Sequence, residues 1–272
     1  MYKLLKSELL KLKWSKMWIV PILFVLTMII IYIYDGDAAF IVSGKENVLG
    51  EAIGFISGVY DNGGSVEFGQ IARASMSYTI FISIVILVFS VSFFSMEYSK
   101  RTIKLLIANG ESRINIYLSK IIVISGFSLV LYYSLVLAMF SYISIREGFM
   151  PNGGEILALF KLITLNFLAM EVFIILSILT SMIIRNVGIT SIIMLLFVFI
   201  GVIVYGNVWD QMSTQSFLKT MFLKTNPMYY WSTICAYNFN NNIIREVIMY
   251  FIASIITLIP ASYLIIRKQE LK

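Results

Sequence analysis

The sequence predicts an all-α membrane protein with six transmembrane helices. Apolar residues make up 59% of the 272 residues and charged residues only 13%, about half the share of charge that soluble domains carry. Six stretches almost free of charge are long enough to cross a hydrocarbon core of about 30 Å as helices. They are residues 17–34, 74–96, 121–145, 162–184, 189–209 and 247–266. Because a bilayer core offers no water to backbone groups, helices are the form these stretches must take.

We expect one membrane domain over residues 1–272. The longest polar segments, residues 35–73 and 210–246, are too short for an independent core to be usual. The chain has one cysteine and no histidine, so no disulfide can form within it. Histidine is the commonest metal ligand and a frequent general base. We therefore predict no metal site, no catalytic residue and no enzymatic activity.

The distribution of basic residues predicts that both termini are cytoplasmic. With the N-terminus inside, the inner segments are residues 1–16, 97–120, 185–188 and 267–272, and they hold 14 of the 21 Lys and Arg residues. The outer segments, residues 35–73, 146–161 and 210–246, are nearly twice as long in total and hold seven. This is the positive-inside pattern of a multi-pass plasma membrane protein. The net charge of +6 therefore indicates orientation and attraction to membrane lipid, not nucleic-acid binding.

The leader, residues 1–16, predicts a helix that lies in the inner membrane interface. Leu5, Leu9 and Leu12 recur at helical spacing among five lysines, and Trp14 and Trp18 are typical interfacial anchors. A basic leader before an apolar run also fits a signal peptide. No small-residue cleavage site follows the run, however, so we expect the first span to be retained.

Two outer segments leave alternatives open. Within residues 35–73, six apolar residues at helical spacing predict a short amphipathic helix on the outer surface. They are Val48, Leu49, Ala52, Ile53, Ile56 and Val59. Residues 210–246 are rich in aromatics, with a turn expected at Asn226-Pro227. That segment fits either an interfacial cap or a lid over an exit path.

The inner segment 97–120, EYSKRTIKLLIANGESRINIYLSK, predicts a short amphipathic helix between the second and third spans. Ile103, Leu106 and Ile107 fall on one helical face. Asn109-Gly110 is a helix-stop signal, and Ser112 can cap a second helix that runs into the third span. From these residues alone, a force-transmitting helix and a solvated basic linker are equally good interpretations.

This segment, together with the lysine-rich leader KLLKSELLKLKWSK, resembles the permease subunit of type 2 ABC exporters. The resemblance covers the whole chain in topology and residues 97–120 in sequence motif. In two places the chain departs from the family pattern. Arg101 stands where a Gly often precedes Thr102, and Asn109-Gly110 stands where the family often has Pro.

The resemblance implies that the segment is a coupling helix that docks on a separate cytoplasmic ABC ATPase. The residues expected to carry the coupling are Glu97, Arg101, Thr102, Lys104, Leu105, Leu106, Ile107, Ser112, Arg113 and Lys120. The resemblance further implies a homodimer, or a heterodimer with a second permease, that exports an antimicrobial peptide, an antibiotic or a lipid-like compound. ATP would be bound by the partner. Consistent with this, Gly44-Lys45 lacks the spacing of a phosphate-binding loop, so no cofactor is expected in this chain.

Glu171 is the one Asp, Glu, Lys or Arg residue within the predicted spans. An ionised acid at that depth costs about 2–3 kcal/mol, so we expect it to face the bundle. Thr164 shares its helical face, and Tyr132 or Tyr133 are candidate donors to it. It is either a polar contact for cationic cargo, a proton-sensitive latch or an interhelical hydrogen bond.

Two other functions remain open at this point. A membrane anchor or sensor would recruit cytoplasmic partners without transporting cargo. A proton-coupled secondary transporter would move cargo without ATP and would depend on Glu171.

Overall fold

The computed structural model describes residues 1–34, 41–46, 52–56, 67–99, 107, 110–208, 224–236 and 241–268. Nine helices and two strands make up this part of the chain. The helices are α1 (Tyr2–Ser15), α2 (Ile19–Tyr34), α3 (Phe68–Ser77), α4 (Thr79–Ser99), α5 (Arg113–Arg146), α6 (Gly153–Ile184), α7 (Val187–Val208), α8 (Pro227–Cys235) and α9 (Asn241–Lys268). The strands are β1 (Ile41–Glu46) and β2 (Ala52–Ile56). The predicted helical membrane architecture is confirmed, with one small hairpin added to it.

Each of the six predicted runs coincides with helix in the described residues. Four helical stretches are long and apolar enough to cross a membrane, namely Phe68–Met96, Arg113–Arg146, Gly153–Ile184 and Asn241–Ile265. The α1–α2 pair would make a fifth, although the two helices are bent by 65°. The apolar part of α7 described in full, Val187–Val202, is shorter. The total of six spans therefore stays a prediction.

Helix α6 is the centre of the bundle. The helices α4, α5, α7, α8 and α9 all pack against it. In its most apolar window 67% of the residues are buried, whereas the corresponding value for α9 is 11%. In a membrane, α6 is thus shielded by protein while most of α9 faces lipid.

The predicted amphipathic helix in the first outer segment is wrong. Its residues Ala52, Ile53 and Ile56 belong to β2, which pairs antiparallel with β1 in the register Ile41 to Ile56. Glycines interrupt the stretch, and Gly54 has φ 138°, which no L-residue in a helix adopts. β-Branched Ile and Val favour strand at the same positions. Val48, Leu49 and Val59 lie outside the described residues.

The outer segment 210–246 differs from expectation as well. Asn226-Pro227 begins a helix instead of a turn, because the Asn226 side chain accepts a hydrogen bond from the Met228 amide at 2.9 Å and Pro227 takes the first helical position. All nine side chains of α8 are buried. Burial raises the pKa of Tyr230 to about 12, with a smaller contribution from Glu246. This helix is therefore packed inside the protein, and the choice between an interfacial cap and a lid stays open.

Candidate functional site

The predicted coupling segment lies between the end of α4 and the start of α5. Glu97 belongs to the last turn of α4, and Ile107 is partly buried. The other predicted coupling residues of the segment's first half lie outside the described residues, namely Arg101, Thr102, Lys104, Leu105 and Leu106. What the structure describes is the second half of the segment, where the chain turns into α5.

The helix cap predicted at Ser112 is confirmed, and Gly110 has the left-handed conformation of a helix stop, although the helix predicted before it lies outside the described residues except for Ile107. Gly110 has φ 85°, and its amide donates a hydrogen bond to the Ile107 carbonyl at 3.0 Å. The Ser112 hydroxyl accepts from the Asn115 amide at 3.3 Å, so α5 begins at Arg113. A left-handed glycine followed by a capping serine fixes the path by which the segment enters the bundle.

The leader helix α1 packs beside this turn through a buried ion pair that sequence analysis missed. A Glu8 carboxylate oxygen lies 3.1 Å from the Lys120 ammonium group, and the other oxygen lies 2.6 Å from Lys11. Glu8 is 0% exposed and Lys120 is 2% exposed. The Lys120 ammonium also lies 5.2 Å from the centre of the Phe93 ring on α4. Three helices thus meet at one lysine.

The face by which α1 packs on the bundle differs in part from the predicted apolar face, whose contact with the membrane interface stays a prediction. The buried residues of α1 are Leu4, Glu8 and Leu12, whereas Leu9 is exposed. These three buried residues follow one another at intervals of four, which is one helical face. The sequence did offer a signal for this face: Glu8 is the one acid among the lysines of the leader, and it lies four residues from both Leu4 and Leu12.

Glu171 accepts a hydrogen bond from the hydroxyl of Ser125 on α5, and not from Tyr132 or Tyr133 as predicted. The residue is 7% exposed. Its second carboxylate oxygen is buried and has no hydrogen-bond partner among the described residues. Buried polar atoms are normally paired. This oxygen can therefore take up a proton or accept a hydrogen bond from a cationic group.

Thr164 does not join Glu171. Its hydroxyl contacts the Tyr133 hydroxyl at 2.6 Å on the exposed edge between α5 and α6. It also donates to the Phe160 carbonyl at 2.7 Å within its own helix. The two residues share a face of α6 but serve different contacts with α5.

A buried polar cluster links four helices near Asn166, and sequence analysis missed it. The Asn166 side-chain oxygen accepts from the Tyr132 hydroxyl, and its amide donates to the Cys235 sulfur at 2.9 Å. The Thr79 hydroxyl lies 3.5 Å from the same sulfur. All four residues are buried. The cluster joins α4, α5 and α6 to the end of α8.

A cleft of about 730 Å³ opens at the end of the bundle opposite to the coupling segment. Glu67, Arg73 and Glu155 are the charged residues that line it. Both carboxylates, however, complete capping boxes at the starts of α3 and α6. Because both residues cap helix N-termini, their position in the cleft is explained without invoking a bound ligand.

Comparison with known protein families gives a match over most of the chain. The sequence model of a protein family described as "ABC-2 family transporter protein" matches residues 4–203, which is well over half of the chain. Neither a curated protein nor a solved structure gives a significant match.

Proposed function

Because the chain belongs to the ABC-2 transporter family, we propose that it is the permease of an ATP-driven exporter. As a family member it is a membrane component of an ABC transporter, and the family implies an ABC ATPase as its partner. The proposal rests on the family match over residues 4–203. The matched range includes the coupling segment. If α1 and α2 form one span, it also includes four of the helical stretches that could cross a membrane. The chemistry of ATP hydrolysis then belongs to the partner, and this chain needs no cofactor.

The proposed cargo is an amphipathic or hydrophobic compound, such as an antimicrobial peptide, an antibiotic or a lipid-like molecule. Cargo would move outward through the plasma membrane, with both termini of the permease in the cytoplasm. The basic inner segments support this orientation. We further propose that two permeases, identical or sibling, form the complete path.

We propose that the segment 97–120 transmits ATP-driven motion. The partner can shift the bundle between two arrangements only by contacting them differently. The fixed turn at Gly110 and Ser112 supports this role, because it connects the segment directly to α5.

The test is to replace Leu106 or Ile107 with Asp and measure co-purification of the ATPase. We expect both variants to lose the partner, because a charge on the docking face of the segment must be desolvated when the surfaces meet. The matched control is Met150→Asp, which places the same charge at a 93% exposed position between α5 and α6. Retention of the ATPase by both coupling variants would refute the proposed docking site and favour a solvated linker.

Within this exporter, we propose that Glu171 contacts a cationic group of the cargo. The buried, unpartnered oxygen of its carboxylate supports the role, and so does the absence of a basic residue from the predicted spans. Thr164, on the exposed edge of the same helix, is the second candidate polar contact along the path.

We expect Glu171→Gln to reduce transport of a cationic amphiphile by about tenfold, since the loss of one charge interaction of about 1.4 kcal/mol has that effect. Transport of an uncharged amphiphile of similar size should change much less. Transport is measured in vesicles that contain the reconstituted complex, with Glu147→Gln as the same substitution in the turn after α5. If Ser125→Ala and Glu171→Gln impair both cargoes equally, Glu171 is an interhelical contact only. Glu171-dependent transport without ATP would instead identify a proton-coupled transporter.

A further inference from the structure

The ion pair between α1 and α5 connects elements that are far apart in sequence. Glu8 and Lys120 are separated by 112 residues, yet both are buried and 3.1 Å apart. Lys11 holds the other Glu8 oxygen at 2.6 Å, and the Phe93 ring covers Lys120. Both ammonium groups of the cluster therefore pair with the same carboxylate.

The pair lies close to the coupling segment. Lys120 is seven residues beyond Arg113, so about 10 Å of helix separates it from the capped turn. On the other side, α1 ends at Lys16, which has φ 57° in the left-handed region. There the chain bends by 65° into α2. The coupling segment is thus connected to α2 through α5 and α1, in addition to the direct packing of α2 against α5.

Separating the two helices is costly as long as the pair stays buried. Leaving one buried charge without its partner costs much more free energy than the intact ion pair contributes to stability. Motions that keep Glu8 against Lys120 are therefore favoured over motions that slide α1 along α5. The left-handed residue at Lys16 supplies a place where the direction of the chain can change instead.

We propose that Glu8 and Lys120 are positioning residues that make α1 and the first turns of α5 move as one body. When the ATPase moves the coupling segment, this body turns relative to α2, with Lys16 as the hinge. The motion of the coupling segment is then transmitted to the leader helix α1 as well as to α5. This inference rests on the proposed function, but it is tested by distances as well as by transport.

The experiment measures spin-label distances in the complete complex, with and without a non-hydrolysable ATP analogue. Labels are placed at exposed positions, Leu9 on α1, Ile122 on α5 and Leu26 on α2, in a Cys235→Ser background. We expect the Leu9–Ile122 distance to be the same in both nucleotide states and the Leu9–Leu26 distance to change. A nucleotide-dependent Leu9–Ile122 distance, or an unchanged Leu9–Leu26 distance, overturns the proposal.

The double variant Glu8→Gln with Lys120→Met removes both fully buried charges together, whereas Lys11, with a side chain 30% exposed, can be solvated. We expect the distribution of Leu9–Ile122 distances to broaden. Transport per ATP hydrolysed should fall by about tenfold, while the ATPase stays bound. The matched control is Lys224→Met with Glu246→Gln, which removes the 2.8 Å ion pair near the start of α9. Unchanged distances and transport in the Glu8/Lys120 variant would also overturn the proposal.

The failure of the proposed function would look different. In that case wild-type vesicles would show no ATP-driven transport, whatever the distances between the labels. Active wild-type vesicles in which α1 moves independently of α5 would leave the exporter intact and reject only this inference.

Discussion

Replacing Trp231 with Ala should lower the free energy of unfolding by about 3–5 kcal/mol, the range for deleting a large buried aromatic side chain. Trp231 is 0% exposed in α8. Its ring lies edge-on to Phe55 of β2 at 5.2 Å and to Phe173 of α6 at 5.9 Å. Loss of the indole thus leaves a cavity where α8, the hairpin and the central helix meet.

The measurement is denaturant or thermal unfolding of the purified protein in detergent. Trp231→Phe keeps an aromatic ring at the site and should cost clearly less than the Ala variant. The control is Trp14→Ala, because Trp14 is 78% exposed on α1 and its removal opens no cavity. Equal stability of the Trp231→Ala and Trp14→Ala variants would mean that α8 does not occupy the core.

Asn166→Leu should destabilise the protein by about 3 kcal/mol. The substitution keeps the size of the side chain but removes the partner of the Tyr132 hydroxyl and of the Cys235 thiol. Each buried polar group left unsatisfied costs about 1–3 kcal/mol. Thr79, at 3.5 Å from the sulfur, compensates only part of this loss.

Unfolding in the same detergent measures this effect, with Asn242→Leu as the matched change at an exposed position of α9. Asn166→Gln should be intermediate, since it retains the amide but displaces it by one methylene. A stability of Asn166→Leu within about 0.5 kcal/mol of the wild type, the range of ordinary surface substitutions, would contradict the importance of the cluster.

The helices were predictable because their signal is local. A run of some 20 apolar residues identifies a helix in a membrane whatever its neighbours are. The turn into α5 was predictable for the same reason, since Gly110 and Ser112 act on their own backbone. Prediction from local sequence fails where the same residues fit both a helix and a strand, as they do in the hairpin. Its residues satisfy a helical spacing, but Gly54 and β-branched neighbours favour strand.

Contacts between distant segments could not be predicted from the sequence. Glu8 and Lys120 each look like ordinary interfacial charges until α1 is placed on α5. Asn166 is one polar residue in an apolar run, and its partner Cys235 belongs to a helix only nine residues long. Such a short helix carries no membrane-span signal. Pairing of this kind depends on the packing of whole helices, which composition and periodicity do not determine.

Because α8 is buried along its whole length, the connection between α7 and α9 is not an ordinary surface loop. A surface loop can be shortened or exchanged at little cost, but this connection supplies interior volume. A deletion that removed it would leave the surface of α6 that packs against α8 uncovered. Affinity tags or reporter insertions therefore belong elsewhere, and the exposed turn at Met150 is a suitable place.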